Sequence, residues 1–333
     1  MKKICLLLIG SLIFLGCSSK NFEPQTSIKK SLKTKESNLY LQNYTKNNLT
    51  FKELKLKYKK RNFIDDGVWG EWVNFDKNGK KLGKFIKINN DLAKNGDKLL
   101  LINEKKVIKL PYLIATATKF NNLIAIVFEN NSIGIYDLDK NKLVFYKEYA
   151  PVLAAKYLKA NPVLYDNLIF FPLLNSKVAI YDLESSKFLR DIDLADDNII
   201  NNIIFIKIVN NTLFIATPNK LILFNPNFLV EKKLDIKHII EYKNNLYLFL
   251  VDGEIIKYNS KLKKIKEIKL PFADFYAPSV CNGNIYTIAN NYLIKITPDL
   301  NITVFNGNKF DLYSPLKIDK CKIYNSYKVY FIE

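Results

Sequence analysis

Short apolar runs separated by polar turns recur along most of the chain from about residue 60. The run from Leu123 to Phe128 is apolar at every position, which suits a β-strand covered on both faces. Pairs of short polar residues bound such runs and predict hairpin turns, because Asn, Asp and Gly tolerate positive φ. These pairs are Asn121-Asn122, Asn130-Asn131, Asn210-Asn211, Asn244-Asn245, Asp252-Gly253 and Asn290-Asn291. No helical pattern alternates with the strands, so an α/β fold is disfavoured.

One longer pattern also repeats: an apolar run that ends in an aromatic residue, then Asp or Asn, a short polar stretch and a further run. The best copies are residues 133–143 and 178–188, and weaker copies are 72–80, 221–226, 255–260 and 293–299. The anchor residues of these copies are Phe75, Tyr136, Tyr181, Phe224, Tyr258 and Ile296, at intervals of 61, 45, 43, 34 and 38 residues. Residues 99–103 are the candidate for an extra copy in the longest gap, and residues 328–333 close the chain.

A period near 40 residues that consists of short strands predicts an all-β fold, a β-propeller with four strands in each blade. We expect the propeller to span residues 60–333, with seven blades favoured and eight as the alternative count. A β-sandwich or a parallel β-helix is the structural alternative.

The N-terminus has the pattern of an export signal. Two lysines follow Met1, residues 4–15 are almost entirely apolar, and Gly16 and Cys17 come next. Twelve apolar residues are too few to cross a bilayer core of about 30 Å, but they suit a signal peptide over residues 1–16. The sequence FLGC at 14–17 resembles a bacterial lipobox, which implies acylation of Cys17, for example with palmitate. Ser18 resembles an outer-membrane sorting signal, and an ordinary secretory signal is the alternative.

The positive charge is concentrated near this end of the chain. The formal net charge is +19, and residues 18–61 contain twelve basic and three acidic residues. We therefore predict a lipidated basic tether over residues 17–59. Only Arg61 and Arg190 are arginines, whereas a nucleic-acid reader uses Arg for bidentate contacts. The lysines are therefore better explained by a Lys- and Asn-rich composition, and no nucleic-acid partner is expected.

Few residues have the chemistry of a reactive site. The single histidine, His238, excludes multi-histidine metal sites and is expected to pack at a strand start. Cys281 and Cys321 lie 40 residues apart, close to one repeat, so either a disulfide between neighbouring units or two separate buried thiols is possible. Tyr136-Asp137 and Tyr181-Asp182 are interpreted as a core aromatic followed by a turn aspartate. We assign no catalytic, cofactor-binding or metal-binding residue.

The segment from Ile135 to Leu143 resembles the repeat of PQQ-like, quinoprotein-type propellers, with the glycine missing and Phe145 or Tyr146 in place of the closing tryptophan. WD40-type repeats have the same architecture but fit less well, because no Gly-His and Trp-Asp pair occurs. Quinoprotein dehydrogenases dock their blades through tryptophans, and this chain has only Trp69 and Trp72. The resemblance therefore implies the fold without the enzymatic activity or the cofactor.

A lipoprotein signal, a tether and a non-enzymatic propeller together resemble the BamB family, scaffold lipoproteins of the outer-membrane β-barrel assembly machinery. The resemblance implies a protein partner in that machinery, membrane attachment through Cys17, and a monomer within a complex on the periplasmic side of the outer membrane. Two alternatives stay open. One is a PQQ-like propeller enzyme (a quinoprotein, lyase or hydrolase), and the other is a surface ligand-binding or adhesion lipoprotein that uses its loop lysines.

Overall fold

The computed structural model describes residues 22–24, 34–37, 85–152, 160–195, 201–225, 228–306, 310, 316–319, 321–325 and 328–332. Those residues form β-strands joined by turns, and no helix occurs among them. In chain order the strands are β1 (Thr34–Ser37), β2 (Ile86–Lys87), β3 (Leu92–Asn95), β4 (Lys98–Leu101), β5 (Lys106–Lys109), β6 (Ile114–Phe120), β7 (Leu123–Phe128), β8 (Ile133–Asp137), β9 (Lys142–Lys147), β10 (Val163–Tyr165), β11 (Leu168–Pro172), β12 (Lys177–Asp182), β13 (Lys187–Asp193), β14 (Phe205–Val209), β15 (Thr212–Thr217), β16 (Lys220–Asn225), β17 (Phe228–Lys233), β18 (Ile236–Tyr242), β19 (Asn245–Leu250), β20 (Glu254–Asn259), β21 (Lys264–Lys269), β22 (Phe275–Cys281), β23 (Asn284–Ala289), β24 (Tyr292–Ile296), β25 (Ile302–Asn306), β26 (Leu316–Asp319), β27 (Lys322–Asn325) and β28 (Lys328–Ile332).

The strands form four-stranded antiparallel sheets that follow one another along the chain. Blade 1 is β2–β5, blade 2 is β6–β9, blade 3 is β10–β13, blade 4 is β14–β17, blade 5 is β18–β21 and blade 6 is β22–β25. A further sheet, the closing sheet, has the order β1-β28-β27-β26. The first strands of neighbouring blades contact each other, as β18 contacts β22 and β22 contacts β26. The first strand of each blade therefore lies at the centre of the molecule and the fourth lies at its outer rim.

The all-β propeller class predicted from the repeat is confirmed. The described residues form seven four-stranded sheets: six blades consist of four consecutive strands each, and the closing sheet needs the N-terminal strand β1 to reach four. The anchor residues from Tyr136 to Ile296 lie on β8, β12, β16, β20 and β24, the third strands of blades 2–6. Residues 99–101 and 328–332 lie on the third strands β4 and β28. The early copy at 72–80 lies outside the described residues.

Two parts of the segment predicted as a tether belong to the propeller instead. Residues 34–37 form β1, which pairs antiparallel with β28 from Thr34 opposite Ile332 to Ser37 opposite Val329. Phe22 is 3% exposed and packs in the core cluster between blades 5 and 6. The structure thus places these two short parts in the propeller, because a polar strand such as β1 can complete a sheet edge through its backbone hydrogen bonds alone.

The core is divided among the interfaces between successive sheets. Six clusters of buried side chains occupy the junctions of blades 1–2, 2–3, 3–4, 4–5 and 5–6, and of blade 6 with the closing sheet. The second strands carry much of this burial, and Ile124 to Phe128 on β7 are all fully buried. Blades 2–6 therefore each bury two apolar faces against their neighbours, as expected for strands that are apolar at successive positions.

The predicted polar turns have the expected backbone conformation. Each of the six pairs contains at least one residue with positive φ, such as Asn121 (51°), Asn131 (66°) and Asn290 (51°). In the turn between β14 and β15, both Asn210 (47°) and Asn211 (59°) have positive φ, the pattern of a type I′ hairpin turn. The abundant Asn thus replaces Gly where the chain reverses.

The antiparallel order places the loops on two opposite faces. We call the end that contains the second-to-third turns and the links between blades the crossover face, and the opposite end, with the first-to-second and third-to-fourth turns, the hairpin face. Backbone hydrogen bonds join loops on the crossover face: Glu129 N donates to Leu113 O (2.8 Å), and Leu270 N donates to Gly253 O (2.9 Å).

Cys281 and Cys321 form a disulfide, with their Cα atoms 5.0 Å apart. Cys281 ends β22 of blade 6, and Cys321 lies in the turn between β26 and β27. Of the two possibilities that the sequence left open, the structure has the bonded pair, and it links blade 6 to the closing sheet on the hairpin face.

We expect loss of this disulfide to destabilise the fold at the junction of blade 6 and the closing sheet. The bond closes a loop of 40 residues in the unfolded chain, so the double variant Cys281→Ser/Cys321→Ser should lose about 3–4 kcal/mol of unfolding free energy. Urea denaturation of both proteins with and without reductant measures this. The reductant should lower the midpoint of the natural sequence and leave that of the double variant unchanged. Equal midpoints for the two oxidised proteins would contradict the expectation.

Two glycines in equivalent second-to-third turns should differ in their tolerance of a side chain. A Cβ on Gly253 (φ 85°) would lie 2.2 Å from Leu270 O, whereas a Cβ on Gly96 (φ 62°) would meet only Leu113 Cδ2 at 3.6 Å. Gly96→Ala should cost about 1 kcal/mol for the left-handed backbone, and Gly253→Ala about 2–4 kcal/mol because the turn must also move. Thermal unfolding of both variants provides the test, and similar midpoints would show that the Leu270 turn yields easily.

Candidate protein-interaction surface

The outer strands of blades 1–5 present a basic surface at the rim of the propeller. Four of these five strands begin with an exposed lysine: Lys106, Lys142, Lys187 and Lys264. Further exposed basic residues on the same strands are Lys109, Arg190, Lys232, Lys233, Lys266 and Lys269, against the exposed acidic residues Asp191, Asp193, Glu231 and Glu267. We call these five strands with their exposed side chains the lysine rim.

Exposed aliphatic side chains alternate with the charges of the lysine rim. They are Val107, Val144, Leu189, Leu229, Val230 and Ile265, each between 37% and 51% exposed. An outer strand has one unpaired edge, and lysines on it hinder sheet-to-sheet aggregation. The same mixture of aliphatic area and positive charge fits the contact surface of an acidic protein.

A groove lies in the lysine rim at the junction of blades 1 and 2. It has a volume of about 490 Å³ and lies between β5 of blade 1 and strands β8 and β9 of blade 2. Its lining residues are Lys106, Val107, Ile108, Lys109, Leu110, Pro111, Tyr136, Asn141, Lys142 and Leu143. These include three lysines and no carboxylate, so the groove favours an anionic group such as a carboxylate side chain of a partner. We call it the basic groove.

The tyrosine of the basic groove is held in place by its neighbours. Tyr136 is buried, its hydroxyl donates a hydrogen bond to Asn141 Oδ1 at 2.8 Å, and burial raises the pKa of this tyrosine. Asn141 itself has a φ of 52°, which places it in the turn before β9. The tyrosine therefore stays neutral at physiological pH and adds no charge to the groove.

The crossover face differs from the basic groove because its lysines are paired with carboxylates. Lys177 lies 3.2 Å from Asp193, and Lys94 lies 3.4 Å from Glu129. The same face contains the pairs Lys220–Glu231, Lys237–Asp274 and Lys269–Asp252. These ion pairs offset part of the positive charge on this face, whereas the lining of the basic groove includes no carboxylate.

The first strands of blades 4–6 contribute a polar network near the centre of the propeller that sequence reasoning missed. Lys207 on β14 lies 2.7 Å from Glu241 on β18. Lys237 contacts Asp274, whose second oxygen accepts a hydrogen bond from Tyr276, and the Lys237 ammonium lies 4.1 Å from the centre of the Tyr276 ring. These contacts link neighbouring inner strands, so the network has a structural role.

The two Tyr-Asp pairs have the structural role predicted for them. Tyr136 and Tyr181 are each 6% exposed in core clusters. Asp137 Oδ1 accepts hydrogen bonds from the backbone N–H of Asp139 and of Lys140, both at 2.9 Å. Asp182 accepts equivalent bonds from Glu184 N at 3.0 Å and from the Ser185 hydroxyl at 2.6 Å. Each aspartate therefore closes a third-to-fourth turn.

Other predicted residues are placed as follows. His238 is buried near the start of β18, as expected. Cys17 lies outside the described residues, so its lipidation stays a prediction. Within the described part of the chain, no cluster of three or more His, Cys, Asp or Glu side chains could hold a metal ion. The same residues include no helix of the length and apolarity that a membrane crossing requires.

The lysines of the basic groove were not singled out from the sequence, where they were attributed to composition. A signal was present, since a lysine directly follows the third-to-fourth turn in blades 1, 2, 3 and 5. The groove itself could not be found in this way, because it brings together side chains from two different blades.

Comparison with known proteins gives one related group and several proteins of the same fold. No protein-family model matches the chain. The plasminogen-binding protein PgbB from each of two Helicobacter pylori strains is 26% identical, over 235 and 236 residues that cover 68% of this chain. The chain spans only 43% of the length of these relatives.

Solved structures with the same architecture share little sequence. BamB from Moraxella catarrhalis has a TM-score of 0.57 at 13% identity, covering 73% of this chain and 82% of that one. The C-terminal WD40 domain of Sif2 has a TM-score of 0.53 at 10% identity, covering 73% and 78%. These likenesses establish the propeller fold.

The turn aspartates should make the stability of the protein sensitive to acid. The backbone N–H of Lys140 lowers the pKa of Asp137 most, and the Ser185 hydroxyl lowers the pKa of Asp182. A lowered folded-state pKa gives stability that is complete above the unfolded value near pH 4 and is lost as the pH falls through the folded value. Asp137→Asn/Asp182→Asn keeps a hydrogen-bond acceptor but does not titrate.

The midpoint of thermal unfolding should therefore fall less steeply between pH 5 and pH 3 for this double variant than for the natural sequence. Asp97→Asn/Asp235→Asn removes the same charge from loops on the crossover face and is the matched control. A double variant with the acid profile of the natural sequence would rule out this contribution of the turns.

Proposed function

We propose that this protein is a lipid-anchored scaffold of the bacterial cell envelope that binds a protein partner through its lysine rim, with the basic groove at the centre of the contact. The observation that carries the proposal is the groove, since its lining combines three lysines with Val107 and includes no carboxylate. A partner with an acidic, partly apolar segment matches this surface in charge and in polarity.

The envelope location is supported by two features of the chain. The apolar run before Cys17 has the pattern of a lipoprotein signal. The disulfide between Cys281 and Cys321 fits an oxidising compartment such as the periplasm or the cell surface, where such bonds persist. The anchor itself is part of the proposal, with Cys17 as the acylated residue.

We propose a binding role and not an enzymatic one. The tyrosines and aspartates of the repeat are used in the core and in turns, and the inner ion pairs link neighbouring blades. Because these residues have structural roles, we propose that the surface side chains act in binding and need no cofactor.

The partner has two finer candidates. The relation to the Helicobacter pylori proteins favours plasminogen, because those proteins are named for binding it and the match covers 68% of this chain. A place in outer-membrane β-barrel assembly, as a BamB-like scaffold facing the periplasm, is supported by the lipoprotein signal together with the propeller fold. We favour the first, since 26% identity over 235 residues is the stronger relation.

Charge reversal in the basic groove tests the binding role. Lys106→Glu/Lys109→Glu/Lys142→Glu should weaken plasminogen binding about tenfold in low salt, because three close charges change sign. Lys243→Glu/Lys261→Glu/Lys263→Glu changes the same charge at exposed turn positions of blade 5, away from the groove, and should bind as the natural sequence does. Surface plasmon resonance at two ionic strengths measures both, and equal losses in the two variants would refute the role of the groove.

Protease treatment of intact cells distinguishes between the two candidate partners. A plasminogen-binding surface protein should be degraded, whereas a periplasmic scaffold should stay intact until the outer membrane is permeabilised. Affinity purification from crosslinked cells should recover a barrel-assembly subunit only in the second case. If the protein stays intact in whole cells, co-purifies with such a subunit and does not bind plasminogen, the second candidate replaces the first.

A further inference from the structure

The exposed apolar side chains of the turns all lie on one face of the propeller. Among the described residues, the large apolar side chains exposed in turns are Tyr112, Leu113, Val251 and Phe272. Tyr112 and Leu113 belong to the link between blades 1 and 2, and Phe272 to the link between blades 5 and 6. Val251 lies in the second-to-third turn of blade 5. All four are therefore on the crossover face.

Val251 and Phe272 form the most exposed part of this set, at 63% and 53%. Their two turns are held together by the hydrogen bond from Leu270 N to Gly253 O at 2.9 Å. The Leu270 turn is closed by Ala273 N, which donates to Leu270 O at 3.0 Å, and Phe272 within it has a φ of 64°. Such a backbone is uncommon for a bulky residue, and it is maintained here by a tightly packed pair of turns. We call Val251 and Phe272 the apolar tip.

The N-terminal segment reaches the molecule at the same place. Phe22 packs edge-on against Tyr292, with ring centres 5.7 Å apart. Phe22 and Ala273, the residue that follows Phe272, belong to one buried cluster. Tyr292 is the first residue of β24 and follows the second-to-third turn of blade 6, so Phe22 enters from the crossover face.

The distance from this point to the proposed anchor is short. Cys17 precedes Phe22 by five residues, and five extended residues span at most about 17 Å. An acylated Cys17 would therefore hold the junction of blades 5 and 6 close to the lipid headgroups. A longer free tether would have allowed the propeller to turn either face toward the membrane.

We propose that the crossover face of the propeller lies against the bilayer in which Cys17 is anchored, with Val251 and Phe272 inserted among the headgroups. This inference rests on the lipid anchor of the proposed function. The charged side chains near the tip occur in pairs, Lys237 with Asp274 and Lys269 with Asp252. Insertion therefore depends on apolar area and not on anionic lipids. The lysine rim and the hairpin face then stay open to a partner.

Fluorescence of the full-length lipoprotein, purified in detergent and reconstituted into phosphatidylcholine vesicles, tests the orientation. An environment-sensitive dye is attached at Pro271→Cys beside the apolar tip or, as a matched control, at Lys261→Cys on the hairpin face of the same blade. Vesicles with brominated acyl chains should quench the first dye at least about twofold more than the second, because such quenching requires close approach to the acyl chains. The difference should persist at high salt.

Two variants show which residues hold the orientation. Phe22→Ala frees the N-terminal segment, and Val251→Ser/Phe272→Ser removes the apolar tip. Both should still float with vesicles, while the quenching at position 271 falls to the level of the control dye. Unfolding midpoints measured in parallel show whether the variants are folded.

Flotation separates failure of this inference from failure of the anchor. A natural sequence that floats but shows equal quenching at both positions, or stronger quenching at position 261, overturns the orientation and leaves the anchor intact. A natural sequence that does not float refutes the anchor of the proposed function, and the orientation falls with it.

Discussion

The pairing of β1 with β28 completes the sheet against which blade 6 packs. Each blade buries its apolar faces against its neighbours, so blade 6 depends on a complete closing sheet. Three strands of that sheet are β26, β27 and β28, and the fourth comes from residues 34–37. The Cys281–Cys321 disulfide acts at the same junction, from the hairpin face of blade 6.

The N-terminal segment contacts the propeller at two described places. Phe22 is buried at the junction of blades 5 and 6, and β1 belongs to the closing sheet on the other side of blade 6. A segment that composition alone assigns to a flexible tether is therefore fixed at two points. In the proposed arrangement, one stretch of chain carries both the membrane anchor and β1, the strand that completes the closing sheet.

The surface divides into regions with different chemistry. The crossover face carries exposed apolar side chains in its turns and lysines that are paired with carboxylates. The rim carries lysines on unpaired strand edges and a groove without a carboxylate. Such a division suits a scaffold that contacts a bilayer with one surface and a protein with another, because the two contacts do not compete for the same side chains.

The sequence by itself determined the blade pattern. Tyr136, Tyr181 and Tyr258 mark third strands, and the Asn pairs mark turns, because strand burial and positive φ are local properties that a short stretch of residues encodes. The partner of β1, the burial of Phe22 and the basic groove were decided only by the tertiary structure. Each brings together residues from distant parts of the chain or from different blades. No local sequence pattern encodes which strand edges and sheet faces meet when the sheets pack together.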